Sequence, residues 1–151
     1  MNNWKKTEKP CSEADIAYVE QQLGIRFPRS FREMMIDYHG AYAREKDVFD
    51  TADEKGKAFN NFVTFFSNDR YSYILRVMDN ISDRLPGNAV PFARDPGGNY
   101  LCFRYSDSSN EPEVWYWDHE LAFEDPTTSL TFVAHTFEAF LDSLYEWVDE
   151  E

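Results

Sequence analysis

Between residues 89 and 117 the chain runs three stretches of β-forming residues with only short polar turns between them. Residues 89–93 and 100–105 are joined by Arg94-Asp95-Pro96-Gly97-Gly98-Asn99, and a second polar loop, residues 106–112, leads into a strand over 113–117. Pro96 sets a negative φ, and Gly97 supplies the positive φ that follows in a type II turn. Strands so close in sequence pair antiparallel, and an antiparallel sheet with an apolar face needs a layer of helices to cover it.

That layer is legible from helical periodicity. Ser12-Glu13-Ala14-Asp15 reads as a helix start with a capping box, Ile16, Val19 and Leu23 form the apolar stripe, and Gly24 ends it. Pro28 opens a second helix, with Phe31, Met34, Met35 and Tyr38 on its buried face and Gly40 at its end. The stripe Ile74/Val77/Met78/Ile81 favours a helix that stops before Pro86. Thr136 caps the last helix, where Phe137, Phe140, Leu141, Leu144 and Val148 keep helical spacing opposite Glu138, Asp142, Glu146 and Asp149. Residues 60–66 and 130–133 add strands. Residues 1–11 read as a flexible lead-in, and the charged, aperiodic residues 41–57 as a loop. The expected architecture is one α+β domain over residues 1–151: a mainly antiparallel curved sheet covered by about four helices, two N-terminal, one middle and one C-terminal.

A chain of 151 residues that is 42% hydrophobic and 17% aromatic has ample material for one core. No stretch reaches the roughly 20 apolar residues of a membrane helix, and the lysines of MNNWKKTEKP precede no apolar run, so a cytoplasmic protein is expected. Cys11 and Cys102 form no CxxC pair and are expected as two unpaired thiols, Cys102 filling space in a strand. The net charge of -13 is placed unevenly: all 15 Lys and Arg lie at or before Arg104, balanced by 15 of the 28 acids, and the remaining 13 acids follow with no base among them. Such a field repels phosphate backbones and draws in cationic surfaces, which argues against DNA or RNA as a direct ligand. The plainer alternative is that the acids only keep the protein soluble.

Chemistry is sparse. His39, His119 and His135 stand at no metal-ligand spacing; His39 and His135 read as structural, while His119 beside Asp118 and Glu120 leaves a weak metal or proton-relay site open. Asp107-Ser108-Ser109-Asn110-Glu111 has calcium-loop oxygens without EF-hand spacing, Gly97-Gly98 is a turn, and there is no GxSxG elbow. No catalytic residue, cofactor or metal is therefore assigned. One stretch stands out, Glu113-Val114-Trp115-Tyr116-Trp117-Asp118-His119-Glu120. Strand alternation puts Val114 and Tyr116 on one side and Glu113, Trp115 and Trp117 on the other. Two indoles beside carboxylates suit a docking face for a cationic partner, through burial and cation–π contact; the alternative is that helices cover this face and the indoles are core. The candidate partner-binding set is Asp107, Glu111, Glu113, Trp115, Trp117, Asp118 and Glu120.

These elements resemble the SUKH superfamily, in particular the branch named after the yeast regulator of cell-wall glucan synthesis. The first helix, from Glu13-Ala14-Asp15-Ile16 to Leu23-Gly24, is followed by Phe27-Pro28-Arg29-Ser30-Phe31, similar to the family's LPxxY/F helix start. His39-Gly40-Ala41 falls where the family usually has Asn-Gly-Gly, and Pro91-Phe92-Ala93 with Gly98-Asn99 resembles its PFA…GD hairpin, with Asn99 for the usual Asp. Residues 114–120 match its late strand, and Thr136-Phe137-Glu138-Ala139-Phe140-Leu141 its closing SFxxFL helix. The resemblance spans residues 12–147. It implies an α+β fold without catalytic residues. It also implies an immunity protein that neutralises a basic secreted toxin, commonly a nuclease, or a regulatory scaffold with no toxin partner.

Overall fold

The computed structural model describes residues 3–107 and 109–148. The chain order is α1 (Glu13–Leu23), α2 (Arg29–Tyr38), β1 (Val48–Phe49), β2 (Lys57–Ala58), β3 (Asn61–Phe62), α3 (Ile74–Ile81), β4 (Ala89–Arg94), β5 (Tyr100–Ser106), β6 (Ser109–Trp117), α4 (His119–Glu124), a 3-10 turn (Pro126–Thr128), β7 (Leu130–Ala134) and α5 (Phe137–Ser143). The expected α+β class holds. β3 to β7 form a five-stranded sheet in sequence order, every pair antiparallel, and β1 pairs β2 in a separate ribbon.

Each helix forms where its local chemistry favours it. Ser12 and Asp15 make the reciprocal capping box, and Gly24 closes α1. Pro28 sits just before α2, whose residues Phe31, Met34 and Met35 are buried. Thr136 caps α5 by accepting from the Ala139 N–H. The helices α1, α2 and α5 supply one face of the sheet with its core. Phe31 is fully buried at its centre, within ring contact of Phe27, Phe62, Phe65, Phe92, Phe103 and Phe137. Edge-to-face packing of this kind adds roughly 0.5–1.5 kcal/mol per pair beyond area burial. A smaller cluster on the other face joins Val77, Ile81 and Leu85 to Ala89, Cys102, Trp117 and Ala122.

Several expectations change. The lead-in is tied down: Trp4 is buried against Phe59 and Phe62, the Thr7 N–H donates to Asp37 O, and Cys11 is buried. His39 holds it from the inside, its Nε2–H donating to Lys9 O while Nδ1 accepts from the Phe65 N–H. At the next residue, φ is 74°, and a Cβ would lie 2.8 Å from Thr64 Cγ2, so only glycine fits at Gly40. Residues 41–57 also contain structure, because Val48 and Phe49 are buried, the latter against Tyr116 and Phe140. Two apolar residues among charges are too short a run to show a period. Their segment lies along the free edge of the sheet, where the Ala52 N–H donates to Phe132 O.

The expected strand over 60–66 contracts to Asn61–Phe62, and Thr64 then bridges Tyr73 in parallel. The polar loop expected over 106–112 is mostly strand, with Ser106 opposite Ser109 and Pro112 buried; Ser108 lies outside the described residues. The positive φ of the first turn is at Gly98 (88°) rather than Gly97, because the Asp95 carboxylate gathers the N–H groups of Gly97 and Asn99. A fifth helix, α4, follows Asp118. The closing helix stops at Ser143, since Tyr145 exchanges two backbone hydrogen bonds with Val48 and donates its hydroxyl to Asp50 Oδ1 at 2.6 Å. Val148 is exposed, and Asp149 lies outside the described residues. Cys11 and Cys102 are free and buried. Among the described residues no helix is long and apolar enough to cross a membrane.

The Asp50 carboxylate thus clips the C-terminal end of the fold to the 41–57 segment. The Tyr145 hydroxyl and then the Gly56 N–H hold its pKa below the usual value. A depressed carboxylate stabilises the fold above its unfolded pKa of about 4 and stops doing so as pH falls through the folded value. The Gly56 amide resonance in a nitrogen–proton correlation spectrum is expected to stay fixed down to the ordinary carboxylate range and move below it. In Tyr145→Phe, which removes the leading cause, that movement is expected at higher pH.

Candidate functional site

Strand alternation in β6 is as the sequence implies: Val114 and Tyr116 face the main core, and Glu113, Trp115 and Trp117 share the outer face. The outer face is only half covered. At the Trp117 end, α3 and α4 close over the sheet, leaving that indole 0% exposed among Val77, Ile81, Leu85, Cys102 and Ala122. Its Nε1–H donates to Arg84 O at 3.3 Å. The expectation that Trp117 stands on a docking face is therefore corrected, because apolar α3 residues and Ala122 of α4 cover it.

At the Trp115 end the face is open. Cys102 lies opposite Trp115 on β5, Phe132 opposite it on β7, and Arg104 opposite Glu113. The Arg104 guanidinium stacks on the Trp115 ring at 4.5 Å, and the ring's edge meets Phe132 at 5.6 Å. Phe132 touches the His135 ring at 4.9 Å. Glu113 binds the two ends together, accepting the Trp115 Nε1–H and the His135 Nδ1–H, each at 3.2 Å. The patch is thus a pre-ordered loop of contacts, Trp115–Phe132–His135–Glu113 and back to Trp115, with Arg104 stacked on the indole. Arg104 already occupies one face of Trp115, so that cation–π seat is filled from within the fold.

The other expected residues frame this patch from two ends. Asp107 is exposed in the β5–β6 turn and Glu111 is exposed on β6. Asp118 and Glu120 lie past the far end of the strand, about 30 Å away for nine residues of β6. Asp118 has a structural task, its carboxylate accepting the Glu120 and Leu121 N–H groups to cap α4. Not all of the late acid excess gathers here: Glu138 is on α5, over the opposite face, hydrogen-bonded to Ser30. Sequence reasoning missed Arg104, Phe132 and His135, since only the register of β5 and β7 against β6 brings them to Trp115. Arg104, as the last base in the chain, was the available signal.

A polar network ties the first turn to the start of α4. The Tyr116 hydroxyl donates to Asp95 Oδ2 at 2.5 Å, and Asn99 Nδ2–H donates to the same oxygen at 3.0 Å. Asn99 Oδ1 accepts from both the backbone N–H and the Nδ1–H of His119. Burial, and then the hydrogen bond and charge of Asp95, push the Tyr116 pKa far up, so it stays a neutral donor. His119 is thereby a positioning group for the turn, while Asp118 beside it is committed to its cap. Burial pushes the Cys11 thiol up to about 11 and raises Cys102 as well, which leaves both far from thiolate at neutral pH. Among the described residues no group of three or more His, Cys, Asp or Glu is placed to hold a metal ion.

The same hairpin and helices are what a family comparison matches: the SMI1 / KNR4 family (SUKH-1) aligns to residues 10–143. The chain belongs to the SMI1/KNR4 family. It is similar to the SPbeta prophage-derived uncharacterized protein YokK of Bacillus subtilis (strain 168), at 27% identity over 144 residues, covering 85% of this chain and 71% of that protein. A crystal structure of a protein from Pseudomonas syringae pv. tomato aligns with a TM-score of 0.49 and 19% identity, over 76% of this chain and 74% of that one.

At Asn99, where the resemblance leads one to expect Asp, the amide N–H donates to Asp95, which an ionised Asp does not do. In Asn99→Asp two carboxylates would share the turn, so one binds its proton more tightly in the folded state than in the unfolded chain. Destabilisation of about 1–3 kcal/mol is expected at pH 7, shrinking as pH falls toward 4, measured by denaturant melts at both values.

Proposed function

We propose that this chain is an immunity protein that binds and neutralises a cationic bacterial toxin, of which a nuclease domain is the leading candidate. The observation that carries the reading is the open half of the sheet's outer face. It presents a pre-ordered Trp115–Phe132 pair framed by the carboxylates of the hairpin and of the α4 segment, in a region with no base after Arg104. Membership of the SMI1/KNR4 family supports it. Binding by such a surface blocks a toxin sterically, by covering its active site or phosphate-binding groove, and needs no catalysis from this chain.

The parts act differently. Trp115 and Phe132 bring apolar area at little entropy cost, because their contacts with Arg104, Glu113 and His135 already fix their rotamers. The exposed acids act at longer range and raise the encounter rate with a positive surface. Within this reading Asp107, Glu111, Glu113, Trp115, Asp118 and Glu120 remain partner-binding residues, and Trp117 supports them from beneath.

The test is co-expression with the C-terminal domain encoded immediately upstream of this gene. That domain alone is expected to stop growth, and this chain to restore it. Trp115→Ala is expected to weaken the complex about 10- to 100-fold, mainly through faster dissociation. Asp107→Asn is expected to slow association and flatten its salt dependence, with dissociation little changed. A toxic domain that this chain fails to restrain would contradict the proposal.

A further inference from the structure

The short helix α4 carries a side chain that the fold itself does not use. Phe123 is 74% exposed, although Ala122 beside it is buried in the outer-face core. An isolated exposed phenylalanine is ordinary; this one is held in place. The Arg84 guanidinium lies over the Phe123 ring at 4.8 Å and over the Trp117 ring at 5.8 Å, so it bridges the exposed ring to a fully buried one. Arg84 is itself committed, donating to Asn80 O at 3.3 Å and pairing with Asp83 at 3.5 Å. These contacts hold the guanidinium on one side of Phe123.

Apart from Arg84, the segment that carries the ring is acidic. Residues 118–128 hold Asp118, Glu120, Glu124 and Asp125 and no Lys or Arg, while Asp83 pairs with Arg84. Asp125 accepts from the Thr127 hydroxyl and then its N–H, which hold its pKa below the usual value and keep it ionised. Leu121, 42% exposed, adds apolar surface on the other flank of Ala122.

We infer that Phe123 is a docking anchor for a cationic protein partner, entering an apolar socket on that partner whose rim carries Lys or Arg. An aromatic ring already in contact with Arg84 loses less freedom on burial than a free one, and acidic neighbours in its helix set the sign of the partner. The negative rim disfavours acidic partners and phosphate backbones, which leaves a basic protein as the occupant. The assignment rests on the immunity reading and adds a second contact to it: α4 roofs the closed half of the same sheet face whose open half presents Trp115.

The experiment uses the full chain and the C-terminal domain encoded immediately upstream, with affinity measured by titration calorimetry. Phe123→Ser changes no charge and removes a mostly exposed ring with its Arg84 contact, so the thermal midpoint is expected to stay close to wild type. Affinity is expected to fall at least about tenfold. Tyr71→Ser, at a ring 70% exposed beyond the other end of α3, is expected to bind as wild type. Phe123→Tyr, which keeps the ring, is expected to stay within about threefold. Wild-type affinity in Phe123→Ser, or an equal loss in Tyr71→Ser, overturns the anchor while leaving the immunity reading intact. Absence of wild-type binding overturns both.

Discussion

The register of β6 between β5 and β7 decides what each face of this sheet carries. With Phe103 opposite Val114 and Leu101 opposite Tyr116, one face closes against α1, α2 and α5 in a phenylalanine-rich core. The same pairing sets Arg104 opposite Glu113 and Phe132 opposite Trp115 on the reverse. A slip of one residue would exchange the two sets, exposing Val114 and Tyr116 and driving Glu113 into the core. The core and the candidate docking patch are thus two sides of one constraint, and neither can drift without the other.

Covering the outer face only in part is what turns a structural surface into a candidate site. The helices α3 and α4 reach Trp117, Cys102 and Ala89 but not Trp115. The open end compensates through its own contacts: stacking by Arg104, an aromatic edge from Phe132, and Glu113 joining indole to imidazole. Those contacts also limit the chemistry. Arg104 fills one indole face, so in the proposed complex long-range charge would steer and close recognition would fall to shape and apolar burial. The carboxylates that follow Arg104 divide between this face and α5, which makes the molecule's polarity less one-sided than its sequence.

Much of this was legible in the sequence where a single local cause acts. Ser12 with Asp15, Thr136 before Phe137, and the stripe through Ile74 and Ile81 gave helix positions because caps and 3.6-residue periods are short-range. The parity of Val114, Trp115 and Tyr116 followed from strand pleating alone. What escaped depends on contacts between distant segments. Val48 and Phe49 form a strand only because Lys57 and Ala58 pair with them and Tyr116 and Phe140 receive Phe49. Tyr145 leaves the closing helix for Asp50, 95 residues away. Trp115 and Trp117 look equivalent by parity, yet one is sealed and the other open, and only the placement of α3 and α4 separates them. The start of α4 was missed although Asp118 is a good N-cap, because the β-rich run before it reads on without a break.

In the proposed complex one face of this molecule, the outer side of β6 with α4, meets a cationic partner while the helical side does not. Hydrogen–deuterium exchange of this chain with and without the C-terminal domain encoded immediately upstream tests this most directly. Slower exchange is expected over residues 104–135, strongest in β6, α4 and β7, with α1 and α2 unchanged. Protection confined to α1, α2 and α5, with residues 113–125 exchanging as in the free protein, would contradict it.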